Sequence, residues 1–238
     1  MAIWKYIQEH DNGITNFHFE VAADLLNDEE IGLIRQMRPG LIQLEIGVQS
    51  TNTDTIREIR RTMRLEEVRE HVARIKEKGN IHQHLDLIAG LPYEDIKSFR
   101  KSFDDVYSMR PDQLQLGFLK VLKGSYMQEM QQEYELRYKD EPPYEVLSTK
   151  WLPYSDVIEL KGIEEMVEIY YNSGQFTHVV EALVENYASA YQMYQDLWQY
   201  YEEHDYMGIQ HRRSARYEIV LDFVKEKYPE QADVMREL

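Results

Sequence analysis

A strand that passes straight into a helix through a few small polar residues constrains a fold more than bulk composition does. Residues 44–61 carry that pattern. Leu44, Ile46 and Val48 alternate with Glu45, Gly47 and Gln49, which is the two-residue period of a β-strand. Ser50-Thr51-Asn52-Thr53 follows, a run of residues that cap helix N-termini, and Thr55 to Arg61 reads as the helix. A strand that feeds a helix this abruptly belongs to a βα unit, whose next strand lies parallel to the first. In such sheets and barrels ligands bind at the carboxyl ends of the strands, where Gln49 sits. Taken alone, Gln49 is explained by a bond to the backbone of its own turn.

The rest of the first half repeats the pattern. Ala2 to His10 reads as the end of a helix that opens in mid-pattern, so a segment upstream is expected. Asn16 to Ala22 alternates as a strand, and Asn27-Asp28-Glu29-Glu30 caps a helix that carries Ile31, Ile34 and Met37 and stops at Pro39-Gly40. Helices are expected over 65–78 and 95–109, strands over 81–88 and 112–122, and a new helix after Lys123-Gly124-Ser125. The expected class is α/β: a partial (β/α) TIM-like barrel arc of about four parallel strands, followed by an all-α C-terminal region. Four strands alone leave open edges, so coverage by terminal helices or a homodimer through the exposed edge is expected. Glu141-Pro142-Pro143 marks a boundary between 1–140 and 141–238. Beyond a short strand in 144–151 the chain reads as helices over 158–172, 176–189, 191–204 and 212–228, with one more after Pro229. The many tyrosines there (Tyr191, Tyr194, Tyr200 and Tyr201 among them) stand at helical spacing, which suits packing residues with wet hydroxyls.

Charge and cysteine content exclude whole classes of function. A net charge of −16 and a pI near 4.9 oppose nucleic-acid partners and anionic membrane surfaces. No apolar run approaches a membrane span and no secretory leader is expected, so the predicted location is cytoplasmic. Cys is absent, which removes disulfides, thiolate catalysis and any iron–sulfur cluster held by these residues' own thiolates.

Each of the first three strands ends in a polar residue: Glu20, Gln49 and Asp86. One reading has each of them capping its own loop or pairing with a nearby cation; the other has three convergent groups holding a polar ligand. Arg60 and Arg61 end the helix after the second strand, as dipole partners or as a two-pronged grip on a carboxylate. His82, His84 and Asp86 alternate on one strand face, a pattern found in some metallohydrolases. A rise of about 3.3 Å per residue leaves only the upper end of that row within reach of the strand ends, so the histidines read as packing residues. Lys120 to Ser125 offers a helix start friendly to anions, or simply solvated lysines.

Phe19-Glu20-Val21 with Asp24-Leu25-Leu26, then Glu45-Ile46-Gly47-Val48-Gln49-Ser50, Arg60-Arg61 and Leu85-Asp86-Leu87-Ile88-Ala89-Gly90-Leu91-Pro92 together resemble the radical SAM superfamily. The resemblance covers roughly residues 14–130. It is closest to the coproporphyrinogen dehydrogenase-like and anaerobic Mg-protoporphyrin IX monomethyl ester cyclase-like branch, which includes cobalamin-binding members. It implies S-adenosylmethionine across the strand ends, held also by a [4Fe–4S] cluster, and cleavage to a 5′-deoxyadenosyl radical that acts on a small-molecule substrate. By position it implies Glu20 toward the methionyl amine, Gln49 and Asp86 toward the sulfonium–ribose region, and Arg61 toward the methionyl carboxylate. Cobalamin would be held by an N-terminal domain outside this sequence. The family's three-cysteine motif is missing, so the chain is expected to be the C-terminal part of a longer enzyme and inactive by itself. A non-catalytic half-barrel interaction module and a metallohydrolase using His82, His84 and Asp86 are the competing readings.

Overall fold

The computed structural model describes residues 1–237, without the side chains of Val234 and Met235. It forms two compact units, Met1–Ile158 and Glu159–Leu238.

In the first unit α1 (Ala2–Glu9), β1 (Phe17–Val21), α2 (Asp28–Ile34), β2 (Ile42–Gln49), α3 (Thr53–Glu58), α4 (Leu65–Lys76), β3 (His82–Ala89), α5 (Ile96–Tyr107) and β4 (Gln113–Phe118) follow one another. The strands make one parallel sheet in the order β1-β2-β3-β4. Sequential neighbours joined by right-handed crossovers put every helix on the same face, which is the construction of a barrel arc. The two faces differ accordingly. Ile42, Leu44, Ile46 and Val48 of β2, with Leu85, Leu87 and Ala89 of β3 and Leu114 and Leu116 of β4, are buried on the helix side. The opposite, concave face is polar throughout its middle rows. Glu20, Glu45, His84 and Gln113 stand in register across the four strands, and His18, Gln43 and His82 form the row beneath. An arc built this way keeps its apolar core between sheet and helices and leaves a hydrophilic trough inside the curve.

Local signals place the elements. Asn27 and Glu30 form a reciprocal capping box on α2, the Asn52 side chain accepts from Asp54 and Thr55 at the start of α3, and Asp95 caps α5 through Ser98. The last strand stops at Phe118, four residues short of the expected Leu122: Leu119 N still donates to Ala89 O at 2.9 Å, but Leu119 O accepts from Val146 N at 2.8 Å and Val121 N donates to Tyr144 O at 2.9 Å, which turns the backbone out of the sheet. After the single turn of α6 (Tyr126–Glu129), β5 (Arg137–Tyr138) and β6 (Val146–Ser148) pair antiparallel. The sequence signalled only the second of these strands. The hairpin packs on the strand ends at Gly90, whose φ of +88° admits a left-handed turn and where a Cβ would stand 2.8 Å from Val146. This return explains why the compact division falls at Ile158/Glu159 and not at the expected 140/141.

The chain continues through α7 (Tyr154–Val167), a π-helical turn over Glu168–Asn172, α8 (Thr177–Val184), α9 (Ala190–Glu203), α10 (Arg213–Lys227) and α11 (Ala232–Glu237). Within the second unit Gly162 lies directly against the Trp198 indole, leaving no room for a Cβ. Tyr191, Tyr194 and Tyr201 are buried, and their hydroxyls are not wet: Tyr201 bonds Tyr170 at 2.5 Å, and Tyr191 donates to Glu159 at 2.7 Å. No helix among the described residues is long and apolar enough to cross a membrane.

Candidate functional site

The four residues singled out in the sequence meet. Glu20 from β1, Gln49 from β2, Arg61 from the turn after α3 and Asp86 from β3 line one cavity of about 210 Å³ at the carboxyl ends of the strands, together with Val21, Glu45 and Gly47. Glu45 escaped sequence reasoning. It stands in register beside Glu20, and the alternation that made Gly47 and Gln49 face the trough applied to it equally.

Gly47 makes the gathering possible. A Cβ there would stand 3.1 Å from Gln49 Nε2 and 3.2–3.3 Å from the Arg61 guanidinium, so both side chains rest over a bare stretch of backbone. Gln49 ends the strand with φ +68° beside a register shift between Gly47 and Gln49. This left-handed conformation is uncommon for a residue with a Cβ. From it Gln49 Nε2 donates to Asp86 Oδ2 at 3.0 Å. Asp86 Oδ1 is buried and has no protein partner. Burial, and then Glu45 beside it, push the Asp86 carboxyl up to about 6 against the opposing pull of Arg61.

The adjacent arginines part company. Arg60, at φ +58°, lays its guanidinium over the Tyr126 ring, 4.2 Å from the centroid. Glu58 accepts from the hydroxyls of Tyr126 (2.7 Å) and Tyr134, and those bonds hold its carboxyl below the usual range. The end of α3 is thereby anchored, and Arg61 alone turns into the cavity.

Other candidates lead elsewhere. His82 and His84 pack edge to face at 4.8 Å, His84 meets His18 at 5.7 Å, and His18 Nε2 lies 2.8 Å from Glu45 Oε2. Among the described residues no three His, Asp or Glu side chains are arranged to hold a metal ion, so His82, His84 and Asp86 do not converge as a metallohydrolase needs. The suspected anion site at Lys120–Ser125 is filled from within: Gln128 Oε1 accepts from Gly124 N at 2.7 Å, and the Ser125 Oγ accepts from Gln128 N at 3.3 Å.

Three carboxylates facing one guanidinium suit a ligand that carries a carboxylate and more than one positive charge. Arg61 matches the former in fork geometry, and Glu20, Glu45 and Asp86 match the latter. The cysteine-free sequence offers no thiolate for a cluster.

Residues 1–106 match the family model described as "Radical SAM superfamily", and residues 132–238 match "Protein of unknown function (DUF4080)". The oxygen-independent coproporphyrinogen-III oxidase-like protein HemZ of Bacillus subtilis is 25% identical over 118 residues, which are 50% of this chain and 23% of that protein. The chain therefore spans about a quarter of the length of this curated relative. Among solved structures, the coproporphyrinogen III oxidase HemN of Escherichia coli, a radical SAM enzyme, aligns with a TM-score of 0.43 at 18% identity, covering 68% of this chain and 42% of that one. The radical S-adenosylmethionine methyltransferase TsrM of Kitasatospora setae, solved with cobalamin and a [4Fe-4S] cluster, aligns with a TM-score of 0.49 at 12% identity, covering 60% and 31%.

Proposed function

Through residues 1–106 the chain belongs to the radical SAM superfamily, and from that premise we propose that the cavity at the strand ends is the S-adenosylmethionine-binding half of a radical SAM enzyme's active site. The observation that carries the reading is the convergence of Glu20, Gln49, Arg61 and Asp86, from four separate elements, on one cavity at the carboxyl ends of the strands. The charges fit. Glu20, with Glu45 beside it, receives the methionyl ammonium, Arg61 the methionyl carboxylate, and Asp86, held by Gln49 through its Oδ2, faces the sulfonium–ribose region. Bound with a reducing [4Fe–4S] cluster, S-adenosylmethionine supplies a 5′-deoxyadenosyl radical for oxidation or rearrangement of a small-molecule substrate. This chain's residues orient the ligand and balance its charge.

The cluster does not fit these 238 residues, since they include no Cys. We therefore place its ligands in another part of a longer protein and take this chain alone to be inactive. A cytoplasmic location follows from the same reading, because a reducing compartment preserves such a cluster. Cobalamin as a further cofactor, and a cyclase-like reaction, rest on sequence resemblance alone.

Calorimetric titration with S-adenosylmethionine tests the reading. Weak but saturable binding is expected, reduced ~10-fold or more in Arg61→Ala, the size of one charge-assisted fork. No heat with wild-type protein at millimolar ligand, or a [4Fe–4S] cluster found on the isolated chain, would overturn it.

A further inference from the structure

Gln49 occupies a left-handed backbone conformation, closed across it by Ser50 N donating to Val48 O at 2.8 Å. The next residue, Ser50, is fully buried. Its Oγ donates to Glu94 Oε1 at 2.7 Å and accepts from Asn52 N at 3.0 Å. Ser102 Oγ donates to the same carboxylate oxygen at 2.9 Å and accepts from Thr51 N at 3.0 Å. The loop after β2 is therefore tied at two consecutive residues, once directly and once through Ser102, to a single carboxylate on the loop after β3. Asn52 Nδ2 to Tyr93 O (2.9 Å) and Thr55 Oγ1 to Pro92 O (2.8 Å) fasten the same two loops. Glu94 is 1% exposed and does not line the cavity. A buried carboxylate is costly unless hydrogen-bonded, and an aliphatic side chain would fill this position more simply.

We infer that Glu94 is the positioning residue of the site: by holding Ser50 it keeps Gln49 in the left-handed conformation from which the Gln49 amide meets Asp86. The assignment to ligand binding rests on the S-adenosylmethionine reading; the mechanical link from Glu94 to Gln49 does not. Glu94 Oε2 has no partner, and burial pushes the carboxyl up to about 7 against the pull of its serine bonds. The charged group that acts on it is Asp95 on its own segment; on α5, Asp105 accepts from Thr51 Oγ1 at 2.7 Å and pairs with Lys101 at 2.5 Å. The loop after β2 contributes the uncharged Ser50, Thr51 and Asn52.

The test follows the side-chain amide signal of Gln49 by NMR from pH 5 to 8.5. In the wild type two steps are expected, one near 6 from Asp86, its direct partner, and one near 7 from Glu94. Glu94→Gln and Ser50→Ala should each lose the upper step and keep the lower, which a merely structural role would not bring about. Glu94→Ala should free the amide to exchange at least fivefold faster; where that variant does not fold, the two milder ones decide. An upper step that persists in Glu94→Gln or in Ser50→Ala overturns the inference. Titration of S-adenosylmethionine into the same proteins separates the two ideas: a wild type that binds none sinks the functional reading whatever the Gln49 signal does, while equal affinity in wild type and Glu94→Gln from pH 6 to 8 removes Glu94 from ligand positioning.

Discussion

At the scale of single residues the site depends on one missing side chain and one buried charge. A Cβ at Gly47 would press on Gln49 Nε2 and the Arg61 guanidinium at 3.1–3.3 Å, and both are the free ends of flexible chains. Gly47→Ala should therefore fold with a melting temperature close to wild type, yet bind S-adenosylmethionine ~10-fold more weakly by calorimetry, because the groups that yield are those proposed to hold the ligand. Asp86 makes the opposite trade. Its carboxyl rises from 3.8 to about 6 on folding, so the folded chain carries an extra proton between those values and stability falls as pH rises through that window. Asp86→Asn should stabilise the protein at pH 7.5 by ~1–2 kcal/mol, after allowance for partial solvent contact. Denaturant unfolding at several pH values should show the slope between pH 4 and 6 reduced, with Glu94 still contributing a slope of the same sign up to about 7. The same substitution should weaken ligand binding. Gain of stability with loss of binding is the mark of a residue kept for its site.

At the scale of elements, the end of α3 and the face of α7 are held by specific contacts. Glu58 takes the hydroxyls of both Tyr126 and the buried Tyr134. Glu58→Ala leaves Tyr134 with only Tyr126 at 3.3 Å as a partner, and a loss of ~1–3 kcal/mol is expected in chemical unfolding. Since that anchor also directs Arg61, affinity for S-adenosylmethionine should drop with it, while Tyr126→Phe, which spares the Tyr134 bond, should cost less on both counts. In α7, Gly162 faces the Trp198 indole with no space between. Gly162→Ala should destabilise the second unit by ~1–3 kcal/mol through overpacking, with a shift of Trp198 fluorescence as the local sign. Neither contact was legible in the sequence. Glu58 reads as one more surface helix acid, and a glycine within a helical stretch reads as a weak spot; partners 76 and 36 residues away are set by packing, which spacing along the chain does not encode.

At the scale of the whole molecule, the first unit is a sheet with one greasy and one wet face. The wet face is what a barrel arc presents to its ligands. The β1 edge carries no strand partner among the described residues, and Ile14 (88% exposed), Phe17 and Leu25 stand out beside it. We propose that this edge pairs with a second copy when the chain is alone. Light scattering should then give about twice the 28.5 kDa chain mass, falling to the single mass in Phe17→Lys, since a charge at an edge discourages pairing; a wild type that stays at the single mass at high concentration removes the proposal.

The amino-acid order by itself determined the alternation of strands and helices, their parallel sense, their capping residues and the polar side chains gathered toward one end of the sheet. Period-two alternation, caps and breakers are local, and a parallel βα chain brings the carboxyl ends of its strands to one end of the sheet. Only the tertiary structure decided which of those side chains touch. It separated Arg60 from Arg61, added Glu45 to the cavity and gave Asp86 an unpartnered oxygen. It also paired β5 with β6 and buried Glu94 behind Gln49. Each of these depends on packing between elements distant in sequence, where a single ångström or one glycine settles whether a polar group is a cap, a strut or a ligand contact.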